Sequence, residues 1–214
     1  MVQRKARRKY DSTGRVAQAQ RARLTMLDCA ESLLLAEGYH ATTVAAIAGA
    51  AGVSVETIYK AFGGKPGLVR AIRERRLGGR GPVHAEQRSE RARSDSVDGH
   101  ELVAHWGRLT AEVAPLVAPI LLLVRDAATA DPELQSLQDE MDADRRRRMH
   151  ANAKHLHDAG HLREGLSITH ATDVLWTFSA PEFFELLVLR CGWGVARFGD
   201  FVGASIAAAL LRPV

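Results

Sequence analysis

TTVAAIAGAAGVSVETIYKAFGGK, residues 42–65, is the stretch on which the fold turns. Thr42 or Thr43 can open a helix, because a threonine oxygen accepts from the otherwise unpaired N–H groups of a first turn. Val44, Ile47, Ala48 and Ala51 then fall on one helical face. Gly52 follows where the chain needs a left-handed residue. Ser54 can cap a second helix over residues 55–62, in which Ile58 and Phe62 stand one turn apart. Two short helices joined by a glycine turn describe a helix-turn-helix, whose second helix fits the DNA major groove. Ala48 supplies the small side chain that a steep helix crossing needs. With Ile58 turned inward, Val55, Glu56, Thr57, Tyr59 and Lys60 occupy the other face, where they can reach bases or phosphates. A plain helical hairpin would share the apolar spacing, but the surrounding motif favours the helix-turn-helix.

Working outward, residues 24–72 resemble the DNA-binding domain of TetR-family transcriptional regulators. The resemblance rests on Gly38-Tyr39, Thr42-Thr43-Val44, Ile47-Ala48, Ala51-Gly52-Val53-Ser54, Tyr59-Lys60-Ala61-Phe62 and Lys65. Ala61 departs from the family, which often has histidine there, so a DNA contact made at that place is expected to be missing. The resemblance implies that Thr42, Thr43, Tyr59 and Lys65 hold phosphates. It implies that Val44, Val55, Glu56, Thr57 and Lys60 approach base edges, with Ser54 completing the DNA-binding set at the helix start.

Charge is distributed to match. The net charge of +4 combines a basic segment up to residue 80 with an acidic remainder. A basic module joined to an acidic one suits nucleic acid on one side and a different partner on the other. With 46% hydrophobic and 25% charged residues, the composition is that of a globular protein rather than a disordered one. The long apolar run near residue 120 is interrupted by Pro115, Pro119 and Arg125, so no membrane span is expected. The basic N-terminus is not followed by an apolar stretch of the secretory kind. Cys29 and Cys191 read as small buried hydrophobes in a reducing compartment, and a cytoplasmic location is expected.

The domain reading is a flexible basic arm over residues 1–16, the DNA-binding domain over 17–78, a polar linker over 79–99 and a second helical domain over 100–214. The first helix runs over 17–37 with Leu24, Leu27, Ala30 and Leu34 inward. Pro66 opens a fourth helix at a position where its missing N–H costs nothing. From residue 101 onward every segment has helical periodicity: Leu102, Trp106, Leu109 and Val113 form the stripe of a first helix, and further helices follow over 115–130, 132–159, 167–178, 181–191 and 196–211. The fold class is therefore all-α, an N-terminal helix-turn-helix domain followed by a helical ligand-binding and dimerisation domain. This later half resembles, more loosely, the ligand-sensing domains of the same regulators, through the run 160–163, then 171–176, 181–182 and 186–193.

No nucleophile elbow, zinc-protease motif or phosphate loop is present in the sequence, so no catalytic residue and no cofactor is assigned. His150, His155, His157 and His161 crowd into twelve residues. Read as ligands they would make a metal sensor or enzyme, the alternative function. Read as surface or supporting histidines they need no metal, and that reading is preferred because a metal site wants three or four convergent ligands. The run from Arg145 to Arg148 is expected to be a solvated face or a partner for nearby acids. Trp106, Met149, Trp176 and Phe183 are candidates to line an apolar pocket, each being equally acceptable as core. Gly199, Gly203 and Ala207 repeat every four residues and allow close helix approach. Together with 181–191, the helix over 196–211 is expected to form a homodimer interface. The expected partners are double-stranded DNA bearing a near-palindromic operator, a second copy of the chain and a small apolar effector, with no membrane. The function so read is a homodimeric repressor released from its operator by that effector.

Overall fold

The computed structural model describes residues 12–81, 83–95, 98–129 and 131–213. They divide into two compact units, with the boundary after Leu68.

The first unit holds α1 (Ser12–Glu37), α2 (Val44–Ala51), α3 (Val55–Phe62) and the start of α4 (Lys65–Leu77). Met26, Leu27, Ala30, Leu34, Tyr39, Ile47, Ala48, Ile58 and Leu68 are buried and make its core. Thr43 caps α2, its hydroxyl oxygen accepting from the Ala46 N–H, and Ser54 caps α3 by accepting from Thr57 N–H. Gly52 closes α2 at φ 65°, ψ 33°, and its N–H returns to the Ala48 and Gly49 carbonyls. That left-handed residue turns the chain into α3, as the sequence requires. Two expectations need correction. Leu24 is 46% exposed rather than inward, because every residue of α1 from Gly14 to Thr25 is exposed and its buried stripe starts only at Met26. The helix also starts five residues early, so residues 12–16 belong to it and not to a flexible arm; residues 1–11 lie outside the described residues.

The second unit contains the rest of α4, then α5 (Ala85–Asp95), α6 (Gly99–Ala128), α7 (Pro132–Asp158), α8 (Ile168–Phe178), α9 (Pro181–Phe184) and α10 (Val195–Leu210). A π-helical stretch, Glu185–Arg190, continues α9. α6 is the central element, packed by α5, α7, α9 and α10. Leu102, Val103 and Trp106 of α6 meet Phe198, Val202 and Ile206 of α10 in one hydrophobic core with Leu156, Leu175 and Phe184. Among the described residues the β-type pairing is an isolated antiparallel bridge between Leu162 and Leu211.

Here the structure departs from the sequence reading in several places. α5 stands inside the stretch read as a linker. It buries Ala85 and Ala92, and its Arg88 forms a double hydrogen bond with Glu112 of α6, at 2.6 and 2.8 Å. Residues 101–128 form one helix rather than two, running through Pro115 and Pro119. α6 is long and apolar enough to cross a membrane by length and composition. Its Leu102, Val103, Trp106, Ala118, Ile120 and Val124 are buried against the protein instead. Gly199 and Gly203 pack on α6: a Cβ on Gly107 would lie 2.5 Å from the Gly199 carbonyl oxygen, and one on Gly199 would lie 2.6 Å from Ala111 Cβ. The close approach is real, but it occurs within the chain. Cys191 is exposed and Cys29 half-buried, so neither is the buried hydrophobe expected.

Candidate nucleic-acid interface and ligand cavity

In the first unit α3 buries Ile58 and leaves Glu56, Thr57, Tyr59 and Lys60 exposed, with Tyr59 at 54% and Val55 at 41%. Val44 is half-exposed and Thr43 exposed at the start of α2. Glu56 and Lys60 are one turn apart and form a solvent-exposed pair at 2.7 Å, worth little to stability and easily parted. Ser54 Oγ and Thr57 Oγ1 lie 2.8 Å apart, so the first turn of α3 is tied at its cap. Thr43, Ser54, Val55, Glu56, Thr57, Tyr59 and Lys60 are therefore on the surface of the capped α2–α3 pair, where a reading head must have them.

Two expected contacts are placed elsewhere. Thr42 is fully buried, and its hydroxyl donates to the Gly38 carbonyl at 2.8 Å and to the Leu33 carbonyl at 3.2 Å. It fastens the end of α1 and is not available to a phosphate. Lys65 donates from Nζ to the carbonyls of Tyr39 at 2.6 Å and Thr42 at 2.8 Å, with Nζ 4.0 Å from the Tyr39 ring centroid. Its charge is engaged inside the unit, where it satisfies carbonyls left over between α1 and α2. A residue the sequence reading passed over joins this frame. Arg23 donates to the Ala61 carbonyl at 3.1 Å and stacks 4.2 Å over the Phe62 ring, fixing the end of α3 against α1.

In the second unit Trp106, Met149, Trp176 and Phe183 line a single cavity of about 550 Å³. They come from α6, α7, α8 and α9, and Leu109, Val113, Phe178 and Val202 extend the apolar wall. Trp106 is 6% exposed. Among the described residues no hydrogen-bond acceptor meets Trp106 Nε1 or Trp176 Nε1, although both atoms are buried. Buried N–H groups without partners are costly and uncommon.

The arginine run on α7 frames one side of this cavity. Arg145 donates to the Trp176 carbonyl at 2.5 Å, to Ser179 Oγ at 3.2 Å and to Asp142 at 3.0 Å, and stacks over the Trp176 ring. Burial pushes its guanidinium below the ordinary value, with Asp142 opposing. Arg146 pairs with Asp173. Arg147 and Arg148 both pair with Asp144, which Arg73 of α4 also reaches at 2.8 Å. Burial alone would raise the Asp144 carboxyl, but Arg73 and Arg148 outweigh it and hold it below its usual range. The run thus partners nearby acids, as the sequence suggested. Of the histidines, His150 meets Thr172 Oγ1 at 3.3 Å and His157 meets Asp158 at 3.3 Å. His155 is pushed down by burial, with Arg93 and His161 adding to it. Among the described residues no three His, Cys, Asp or Glu side chains converge on a common point.

These features define the class: an all-helical protein with a helix-turn-helix in its first unit and a second helical unit that carries a cavity. Residues 26–72 match the family profile of bacterial regulatory proteins, tetR family. No curated protein sequence matches it. Among solved structures it is similar to SmeT, the repressor of the Stenotrophomonas maltophilia multidrug efflux pump SmeDEF. Against SmeT in complex with triclosan it shows 23% identity, covering 90% of this chain and 93% of that one at a TM-score of 0.69. FadR from Bacillus subtilis, bound to stearoyl-CoA, is 19% identical over 86% of this chain and 97% of its own, at 0.66. A transcriptional regulator from Saccharomonospora viridis in complex with choline is 19% identical over 91% and 100%, at 0.65. At these identities the likeness is one of fold.

Proposed function

We propose that this transcriptional regulator is a homodimeric repressor that leaves a near-palindromic operator when a small, mainly apolar molecule fills the cavity of its second unit. The observation that carries the effector is the convergence of Trp106, Met149, Trp176 and Phe183 on that one cavity. Its size lies within the range of about 300–1,000 Å³ usual for small-molecule sites. Solved relatives in fold hold triclosan, stearoyl-CoA or choline, which supports a ligand-responsive reading. For DNA, Thr43 and Tyr59 would hold phosphates, and Val44, Ser54, Val55, Glu56, Thr57 and Lys60 would meet or frame base edges. Thr42 and Lys65 act behind them by holding the α1–α2 connection in place. The dimer rests on the surface that α9, the π-helical stretch and α10 leave open, where Leu186, Leu189 and Phe201 are 51%, 59% and 37% exposed. A dimer of reading heads would engage half-sites about 34–36 Å apart.

For an effector to release DNA it must bind the non-reading conformation more tightly, since equal affinity for both shifts nothing. A coupling of about 1–3 kcal/mol gives a roughly 5–150-fold loss of operator affinity. The test is selection of bound fragments from random DNA, followed by melting-shift screening of apolar molecules and titration of each hit against the selected operator. A two-fold motif, with release in the concentration range that stabilises the protein, is the expected result. Selection without a motif, or stabilising ligands that leave DNA affinity unchanged, would contradict the reading.

A further inference from the structure

The charges in the cavity wall are unevenly buried, and the imbalance has one sign. Arg73, Arg93, Arg145 and Arg148 all line the cavity, with side chains only 11%, 21%, 11% and 24% exposed. The acids that line it lie toward solvent. The side chains of Glu74, Glu90, Asp142 and Glu182 are 67%, 58%, 42% and 44% exposed, and Glu86 is exposed as well. Arg125, at the α9 side, is already taken by Asp126, Glu182 and Glu185. The carboxylate that serves Arg73 and Arg148, Asp144, is not part of the wall and is shared with Arg147 as well. Arg73 and Arg148, both mostly buried, thus share one carboxylate that the exposed Arg147 also reaches, and the buried pair keeps a net positive charge where water screens less than at the surface. Asn152 of the wall accepts from Arg93 through Oδ1 at 2.8 Å, which leaves its NH₂ as a further donor.

A wall with an apolar body, buried cations and unspent donors selects against a cationic guest and leaves an acceptor-rich one favoured. We infer that the cavity takes an amphipathic organic acid, its apolar body between Trp106, Phe178 and Val202 and its anionic head toward Arg73, Arg145 and Arg148. This rests on the effector reading above and narrows it to one ligand class. Occupation by such an acid would give Arg73 and Arg148 a second anion to share with Asp144.

The experiment uses the full chain at neutral pH and three probes of equal chain length, each below its micellar concentration: dodecanoate, dodecanol and dodecyltrimethylammonium. Binding is followed by tryptophan fluorescence and by melting shift. Dodecanoate should bind more tightly than dodecanol by about ten-fold or more, the scale of a charge-assisted hydrogen bond, and the ammonium should be weakest. Arg148→Gln leaves Asp144 with Arg73 and Arg147, so the fold should survive. It should weaken dodecanoate by about ten-fold while leaving dodecanol unchanged, which also reports that the variant is folded. Arg73→Gln is the second variant, with the same expected split. Dodecanol or the ammonium binding as tightly as dodecanoate would overturn the charge preference while leaving a ligand-binding cavity in place. A ratio of dodecanoate to dodecanol unmoved by both variants would overturn the placement of the head. Failure of all three probes to bind would remove the cavity reading itself.

Discussion

Adjacent threonines illustrate how far single residues can be read. The sequence presents Thr42 and Thr43 as equivalent caps, and both were expected at the DNA. Backbone geometry separates them: Thr43 caps α2 on the surface, while Thr42 is buried with its hydroxyl on the Leu33 and Gly38 carbonyls. Which of two neighbours turns inward depends on how α1 ends, and no local pattern encodes that. Thr42→Val should therefore cost about 1 kcal/mol of stability in denaturant unfolding and leave the preferred DNA sequence unchanged. Thr57→Ala should do the opposite, because Thr57 is exposed and meets only Ser54 within its turn. Its melting temperature should stay near that of the parent while the base preference at the facing position relaxes, as selection from random DNA would show. Lys65 belongs with Thr42. Its substitution should lower stability, and a change confined to the salt dependence of DNA binding would mean that it does reach phosphate.

Helices with strong apolar periods were legible, and those held by other means were not. The helix-turn-helix, α7 and α8 follow from capping residues and spacing. α5 escaped because its buried face is only Ala85 and Ala92, too small to stand out among Glu, Arg and Ser. What secures it is charge. Glu112 takes two bonds from Arg88 and one from the Arg80 N–H at 2.7 Å. Those partners hold its carboxyl at about 2 in the fold against an ordinary 4.5. A lowered carboxyl pKa contributes stability that is complete above the unfolded value and fades as pH falls toward the folded one. The melting temperature of Glu112→Gln should thus lie below the parent by a constant gap above about pH 4.5, narrowing as pH drops toward 2. A gap independent of pH down to that point would show that the pair is not what secures α5. The small residues of α10 show the opposite limit. Their spacing announced a close approach, but not that the neighbour is α6 of the same chain. Gly199→Val should destabilise the monomer fold by about 1–3 kcal/mol or more through overpacking, measurable at protein concentrations where assembly does not vary.

At the scale of the molecule, a basic helix-turn-helix segment followed by a second helical unit was legible from charge and composition, whereas the boundary was not. The compact units part after Leu68, inside the continuous helix α4, where periodicity gives no sign of a break. The cavity residues were legible only as a group. Each large side chain was as acceptable in a core, and their convergence from four helices is a tertiary fact. If Leu186, Leu189 and Phe201 are covered by a second copy, Leu189→Glu should bury a charge at that contact. Light scattering should then show monomers, with operator affinity falling steeply because one head alone has half the site. An intact dimer in that variant would move the interface to another face.

Pro115 and Pro119 bring neither N–H to the ladder of α6, so the carbonyls of Ala111 and Pro115 lack their usual donors. The thirty-residue cylinder should in consequence open as two cooperative stretches laid end to end. The upstream one is clasped by α10 through the Gly107–Gly199 crossing, and the downstream one ends at Arg125 and its ion pairs. In native-state deuterium exchange the amides of residues 102–110 and 120–128 should open with separate free energies, and a guest in the cavity, which both stretches wall, should slow the two together.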